Sequence, residues 1–352
     1  MDPTLKLYIR QGDRSGMVAD VQARLRALGG DINDDPARFG AGTENAVRAF
    51  QQQRGILVDG IVGPHTWREL VEAGWRLGDR PLYLRHPPLR GDDVEALQTR
   101  LNALGFDAGR ADGIFGRDTD RAVRAFQREY DVAEDGIYGP RSLRALAGLR
   151  VERAGTASTL REELRRVESA GTTGAVIVID PGHGGSDPGE VDPRGAHEAD
   201  LCWDLATRLA RQLSAAGAHV RFTRSEAEAP DDSERARRAN DLNADLFLSL
   251  HLNVHGRASA QGASTYYWGG SKAGELLAES VQQRLVGLGL RDCRAHPRAY
   301  PLLKETRMPA VLVEPAFITN PEDRRRLDDP VFRSALVDAL AAAVRHYYEA
   351  AP

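Results

Sequence analysis

Cysteine is scarce, with only Cys202 and Cys293 in 352 residues. Two thiols exclude a disulfide framework, and the expectation is two reduced thiols rather than one bridge. Apolar runs are short, and none approaches the ~18 residues that a membrane span needs. The opening stretch, MDPTLKLYIRQGD, lacks a basic segment followed by an apolar one, so no signal peptide is read there. A positive excess is missing too: 47 Lys and Arg against 51 Asp and Glu leave a formal net charge of −4. That balance argues against a sequence-independent nucleic-acid binder and against a binder of anionic membranes. What remains is an ordinary globular composition, 41% hydrophobic and 28% charged, in a chain long enough for two or three domains.

The first 150 residues contain a repeat. VQARLRALG at Val21–Gly29 returns as LQTRLNALG at Leu97–Gly105, and AVRAFQ at Ala46–Gln51 returns at Ala122–Gln127. VDGIVGP at Val58–Pro64 returns as EDGIYGP at Glu134–Pro140, every pair being offset by the same 76 positions. Within a unit, Val18, Val21, Leu25 and Leu28 predict an amphipathic helix stopped by Gly29 and Gly30. Thr43 is expected to cap a second helix that buries Ala46, Val47 and Phe50. Pro64 is expected to open a third, with Trp67 and Leu70 inward. Each unit is then a small three-helix domain, residues 8–73 and 84–149, marginal alone and suited to paired binding. The pattern resembles the type 1 peptidoglycan-binding domain family, which implies a peptidoglycan or muropeptide partner. The second unit matches nearly throughout, including DGIFG at Asp112–Gly116. The first departs at Pro36–Gly40, where it reads PARFG.

Residues 150–173 turn polar and read as a linker with one helical segment, Leu160–Val167. After it, strand and helix signals alternate through residues 174–350. Strands are expected at Val176–Ile179, His219–Thr223, Leu246–Leu250 and Val311–Val313, with an edge strand at Ser264–Trp268. The intervening helices include one carrying Leu201, Leu205, Leu209 and Leu213. This alternation predicts an α/β domain, a mostly parallel sheet with helices on both faces.

In such sheets functional groups gather beyond the carboxyl ends of the strands. His183 follows the first strand inside PGHGG, His251 follows Leu246–Leu250, Glu314 follows Val311–Val313, and Glu198 opens the helix after the His183 loop. Two imidazoles and one carboxylate form the ligand set of an open catalytic zinc site. Bound zinc lowers the pKa of its water to about 7, and a second carboxylate can carry the proton to a leaving amine. The inventory suits metal-assisted amide hydrolysis, although the residues alone do not decide which Glu binds metal. His255 in HLNVH reads as a loop residue, and Cys293 and His296 lack the partners a metal site would need.

Residues 174–348 resemble the zinc-dependent N-acetylmuramoyl-L-alanine amidase family (amidase type 3). The landmarks are IDPGHGG at Ile179–Gly185, Glu198–Leu201, Thr223–Arg224, Arg235–Asn240, ADLFLSLHLN at Ala244–Asn253, MPAVLVE at Met308–Glu314 and Phe317–Asn320. The resemblance implies one Zn²⁺ per chain on His183, Glu198 and His251, with Glu314 as the catalytic residue. It also marks a departure, since Pro315 and Ala316 stand where the family has glycine two residues beyond the catalytic Glu.

The expected function is zinc-dependent hydrolysis of the amide between N-acetylmuramic acid and L-alanine, anchored by the two repeats. The competing expectation follows from the architecture, which also resembles the actinobacterial CwlM type. It is a cytoplasmic regulator of peptidoglycan precursor synthesis, with a synthesis enzyme as partner and little amidase activity. Without a signal peptide the expected location is cytoplasmic, or the cell wall if the protein is exported or released by lysis.

Overall fold

Alternating turn signals and 3.6-residue periodicity give way, midway along the chain, to β-branched runs, and the fold divides accordingly. The computed structural model describes residues 8–147, 149, 171–192 and 194–349. It forms two units, residues 1–158 and 159–352. The expected linker helix at Leu160–Val167 lies outside the described residues.

The first unit contains α1 (Gly16–Ala27), α2 (Ala41–Arg54), α3 (Pro64–Glu72), α4 (Asp92–Ala103), α5 (Arg117–Glu129) and α6 (Pro140–Ala147). Each repeat has its own core, one around Val18, Val21, Val47 and Leu70, the other around Val94, Leu97, Phe115 and Phe126. The 76-residue repeat is itself built from a smaller device. In four places a buried helical glutamine bridges a tight loop and the first turn of the next helix. Gln98 donates to Asp112 Oδ1 (2.9 Å), Ile114 O (3.0 Å) and Thr119 Oγ1 (3.1 Å), and accepts from Gly113 N (2.9 Å). Gln51 and Gln127 do the same for the loops at Asp59–Ile61 and Asp135–Ile137.

Gln22 keeps the pattern although its loop has lost the DGI sequence. Ala37 takes the glycine's place and holds φ at 61°, and its N–H donates to Gln22 Oε1 (3.1 Å). Thr43 is not the N-cap of α2. That position is Gly40, and Thr43 lies in the first turn, where its hydroxyl accepts from Gln22. The Asp34 carboxylate instead receives the N–H groups of Gly40 and Gly42, which satisfies the helix end from outside. Arg54, at the end of α2, donates to Glu69 of the first repeat and to both carboxylate oxygens of Asp92 in the second.

In the second unit a six-stranded sheet runs β2-β1-β3-β6-β4-β5. Its strands are β1 (Val176–Pro181), β2 (His219–Phe222), β3 (Leu246–Leu250), β4 (Ala263–Tyr267), β5 (Asp292–Pro297) and β6 (Ala310–Glu314). β2, β1, β3 and β6 are mutually parallel, and β4 enters antiparallel to β6 with Ser264 opposite Glu314. The helices are α7 (Glu198–Ala215), α8 (Asp232–Asp241), α9 (Lys272–Gly287), α10 (Pro301–Lys304), α11 (Pro321–Asp328) and α12 (Pro330–Glu349). α7, α9 and α12 cover one sheet face over Ile177, Ile179, Leu248 and Val311, while α8 and α10 cover the other over Val178, Phe247 and Leu312. Burial on both faces explains the unbroken apolar runs of β1 and β3.

The sheet differs from expectation at its far end. β4 is not an edge strand but pairs on both sides, and the edge is β5, whose sequence DCRAHP carries too little β-branched or aromatic character to announce a strand.

Candidate metal centre

β1 delivers the chain to the site and a buried carboxylate holds its end in place. Asp180 is fully buried, accepts from Ser249 Oγ (2.7 Å) and from Thr223 Oγ1, and pairs with Arg235 Nη1 at 2.8 Å. Burial would raise its pKa, but Arg235 and the two hydroxyls outweigh that and keep it below the ordinary carboxylate range. Two arginines then grip the carbonyls that follow. Arg224 donates to Pro181 O (2.7 Å) and Gly182 O (3.0 Å), and Arg235 donates to Pro181 O (2.8 Å) and His183 O (2.7 Å). The loop therefore turns without regular structure while its buried carbonyls remain satisfied.

His183 sits at φ 56°, in the left-handed region that non-glycine residues rarely occupy. Both neighbouring glycines are packed against other groups. A Cβ on Gly182 would lie 2.4 Å from His251 Cε1, and one on Gly184 would lie 2.5 Å from Arg224 Cζ and Glu228 O. A Cβ on Gly189 would meet the His183 ring at 2.7 Å.

Glu198 comes from the first turn of α7, whose start is tied back to the loop by Glu198 N to Glu190 O (2.9 Å) and Ala199 N to Pro188 O (3.1 Å). His251 extends β3. One ligand atom from each of His183, Glu198 and His251 lies within 4.8 Å of the others, the one such His/Cys/Asp/Glu group among the described residues. The carboxylate faces both rings, with Oε2 at 3.2 Å from His183 Nε2 and Oε1 at 3.3 Å from His251 Nδ1. Glu190 N and Leu252 N donate to the same two oxygens (3.2 and 2.8 Å).

Burial disfavours charge on Glu198, yet the two imidazoles outweigh it and hold its pKa well below normal. The same burial would lower His183, but Glu198 and Asp187 together push it up to about 9. Asp187 Oδ2 lies 2.9 Å from His183 Nδ1, so Nε2 is the nitrogen turned to the centre. Two imidazoles and a carboxylate around one point, backed by glycines that leave no room for a Cβ, fit a divalent cation of zinc type.

Glu314 closes β6 at the same edge. Burial raises its pKa, partly offset by His251 and by a hydrogen bond from Tyr266 Oη to Oε2 (3.0 Å). The structure thus brings together all four residues singled out from the sequence. Pro315 and Ala316, the departure from the family pattern, are both buried. Ala316 packs into the main core, takes no left-handed conformation, and accepts from Asn253 N at 2.8 Å. His255 stands outside the metal-type group, its Nδ1 accepting from Arg257 N. Cys202 and Cys293 are both free, the first on the buried face of α7 and the second on β5.

Two contributors have weak or no sequence signals. Asp187, four residues after His183, was within reach as the usual carboxylate behind a metal-binding imidazole. Tyr266 had no signal at all, because only the antiparallel register of β4 on β6 places it beside Glu314.

Residues 177–346 match the family model described as N-acetylmuramoyl-L-alanine amidase, and residues 14–70 and 90–146 each match the model of a putative peptidoglycan-binding domain. The chain is 43% identical to N-acetylmuramoyl-L-alanine amidase CwlM of Mycobacterium tuberculosis, over 97% of this chain and 89% of that protein. It is 37% identical to N-acetylmuramoyl-L-alanine amidase LytC of Bacillus subtilis, over 50% of this chain and 36% of LytC. Among solved structures, the catalytic domain of the amidase CwlV from Bacillus (Paenibacillus) polymyxa overlays with a TM-score of 0.47 at 28% identity, covering 50% of this chain and 98% of that one.

Proposed function

Because the chain belongs to the N-acetylmuramoyl-L-alanine amidase family, we propose that it hydrolyses the amide joining N-acetylmuramic acid to L-alanine in peptidoglycan, with zinc held by His183, Glu198 and His251. The observation that carries this reading is one sheet edge presenting a His–Glu–His cluster and, separately, a carboxyl group whose pKa burial has raised. Zinc suits the donor set, since the site offers nitrogen and oxygen ligands, no thiolate, and three protein ligands rather than four. When bound, the ion supplies Lewis-acid polarisation of the amide carbonyl and acidifies a water molecule.

The remaining work belongs to the chain. Glu314 takes the proton from the attacking water and hands it to the departing amine, and its raised pKa suits it to both tasks. Tyr266 occupies Glu314 Oε2 and leaves Oε1 for the proton. Asp187 keeps the His183 ring in the orientation that turns Nε2 to the ion. The matches to peptidoglycan-binding domains support the two repeats as the part that retains the polymer and raises local substrate concentration.

Metal content and turnover test the proposal together. The purified chain is expected to carry about one zinc, to release stem peptides from isolated sacculi, and to lose that release in Glu314→Ala. Zinc bound without release, even at high protein concentration, would sink hydrolysis. It would favour instead a regulator of precursor synthesis acting through a protein partner.

A further inference from the structure

Arg224 is a buried cation whose hydrogen bonds all go to neutral groups. It is 3% exposed, and it donates from Nε to Pro181 O (2.7 Å), from Nη2 to Gly182 O (3.0 Å) and from Nη1 to Ser225 O (3.1 Å). Among the described residues no carboxylate pairs with it. Asp180, the buried acid of the same loop, is engaged instead by Arg235 Nη1 (2.8 Å), Ser249 and Thr223. Burial, and then the like charge of Arg235, both work against the Arg224 guanidinium and lower its pKa. Carbonyl dipoles alone offset little of the cost of desolvating a cation.

An aromatic face supplies the rest. Arg224 Cζ lies over the Trp203 ring, 5.2 Å from its centre. That is within the range at which the negative face of an indole attracts a cation, and the attraction strengthens where water is excluded. The Trp203 ring packs in turn against Phe222, with centroids 5.4 Å apart and planes tilted by 38°. On the loop side the backbone closes directly on the guanidinium, since a Cβ on Gly184 would lie 2.5 Å from Arg224 Cζ. Trp203 belongs to α7, the helix whose first turn carries Glu198. The helix that supplies one member of the His–Glu–His cluster therefore also holds the arginine that grips the loop of another.

We propose that Trp203 is a positioning residue for the metal centre, which stabilises the Arg224 cation and so fixes the Pro181–Gly184 backbone, and with it His183, relative to Glu198. The inference rests on the metal-site part of the amidase reading for what the loop serves, and adds what holds the loop. The role depends on the ring's π face and not on bulk. An aliphatic side chain at position 203 fills space but leaves the buried charge without its offset, and the guanidinium is then drawn toward water and away from the loop carbonyls.

The test compares, in the full chain, Trp203→Phe, which keeps an aromatic face, with Trp203→Leu, which keeps apolar bulk alone. Hydrogen exchange is followed in the metal-free protein at Gly182, Gly184 and Gly185, whose N–H groups donate to Leu250 O, Asp187 O and Glu226 O. Exchange there is expected to quicken about tenfold in Trp203→Leu and less than about threefold in Trp203→Phe, following the cation–π attraction lost. Zinc affinity, titrated against a competing chelator, is expected to fall by about tenfold in Trp203→Leu, the lower end of what loss of a ligand's outer support costs. If Trp203→Leu does not fold, fluorinated tryptophans placed at position 203 keep the ring's shape while depleting its negative face, and loop exchange is expected to rise with each added fluorine. Loop exchange unchanged in Trp203→Leu overturns the role, as do equal effects of Phe and Leu or indifference to fluorination. Zinc uptake and stem-peptide release by the unmodified chain are scored separately. A chain that takes up no zinc sinks the metal reading while loop exchange still decides the role of Trp203. Unaltered loop exchange beside normal zinc uptake and release removes that role and keeps the amidase.

Discussion

Tyr266 Oη lies 3.0 Å from Glu314 Oε2, a contact that exists because β4 runs antiparallel to β6 with Ser264 opposite Glu314. Removing that donor frees the carboxylate to rotate and leaves a half-buried oxygen without its partner. Tyr266→Phe is expected to lower kcat for stem-peptide release about tenfold, the effect of one hydrogen bond to a charged group, with KM within about twofold. An unchanged kcat would show that Glu314 is held by its packing alone.

Gly182 is constrained by the metal-type cluster rather than by its own backbone. A Cβ there would lie 2.4 Å from His251 Cε1, and the carbonyl of Gly182 is gripped by Arg224, so the loop has little room to retreat. Gly182→Ala is expected to displace His251 and weaken zinc binding by about 10- to 100-fold, the range seen when a ligand's support is disturbed. Zinc titration against a competing chelator measures this. Affinity matching the unmodified chain would mean that the ring moves without penalty.

Acid–base linkage gives a third expectation. Without metal, His183 is raised from its ordinary value of 6.5 to about 9 by Glu198 and Asp187. Its contribution to the metal-free fold is therefore full below about pH 6.5 and is lost as pH rises through about 9. Zinc requires the neutral imidazole, so uptake between those limits displaces a proton. Zinc affinity is expected to rise with pH across that window, by up to about tenfold per unit. Calorimetry in buffers of different ionisation enthalpy should count close to one proton released. A pH-independent affinity would contradict the expectation.

The first repeat carries a strain that the second does not. Ala37 holds φ at 61° where its counterpart Gly113 holds 75°, and both serve the same glutamine device. Left-handed backbone costs alanine about 1–2 kcal/mol, while glycine's extra freedom in the unfolded chain returns about 0.4–1 kcal/mol of that. Ala37→Gly is expected to stabilise the first repeat by about 0.5–1 kcal/mol, and Gly113→Ala to destabilise the second by more, since its Cβ would also press Gly91 O at 3.2 Å. Urea denaturation of the full chain, with hydrogen exchange to separate the repeats, checks both signs.

Much of the site was legible because its residues sit at strand ends and beside glycines, where sequence signals are strong. β1 and β3 are short apolar runs, and the residues just past them, His183 and His251, must emerge at the same edge of a parallel sheet. Glu198, at the start of the intervening helix, shares that edge for the same reason. The roles of Asp180, Arg224 and Arg235 were not legible. They are buried polar residues in otherwise apolar surroundings, and pattern alone does not show that they bond to one another and to the Pro181–His183 carbonyls.

The sequence by itself determined the duplicated helical units, the alternation that builds the α/β domain, and the four groups at its edge, because periodicity and chain connectivity are local or nearly so. Only the tertiary structure decided three further points. It showed that β4 lies inside the sheet, that Tyr266 therefore reaches Glu314, and that Ala316 packs into the core. Each depends on pairing between segments far apart in the chain. The direction of a strand and the face its side chains present are set there by the neighbour it packs against, not by its own residues.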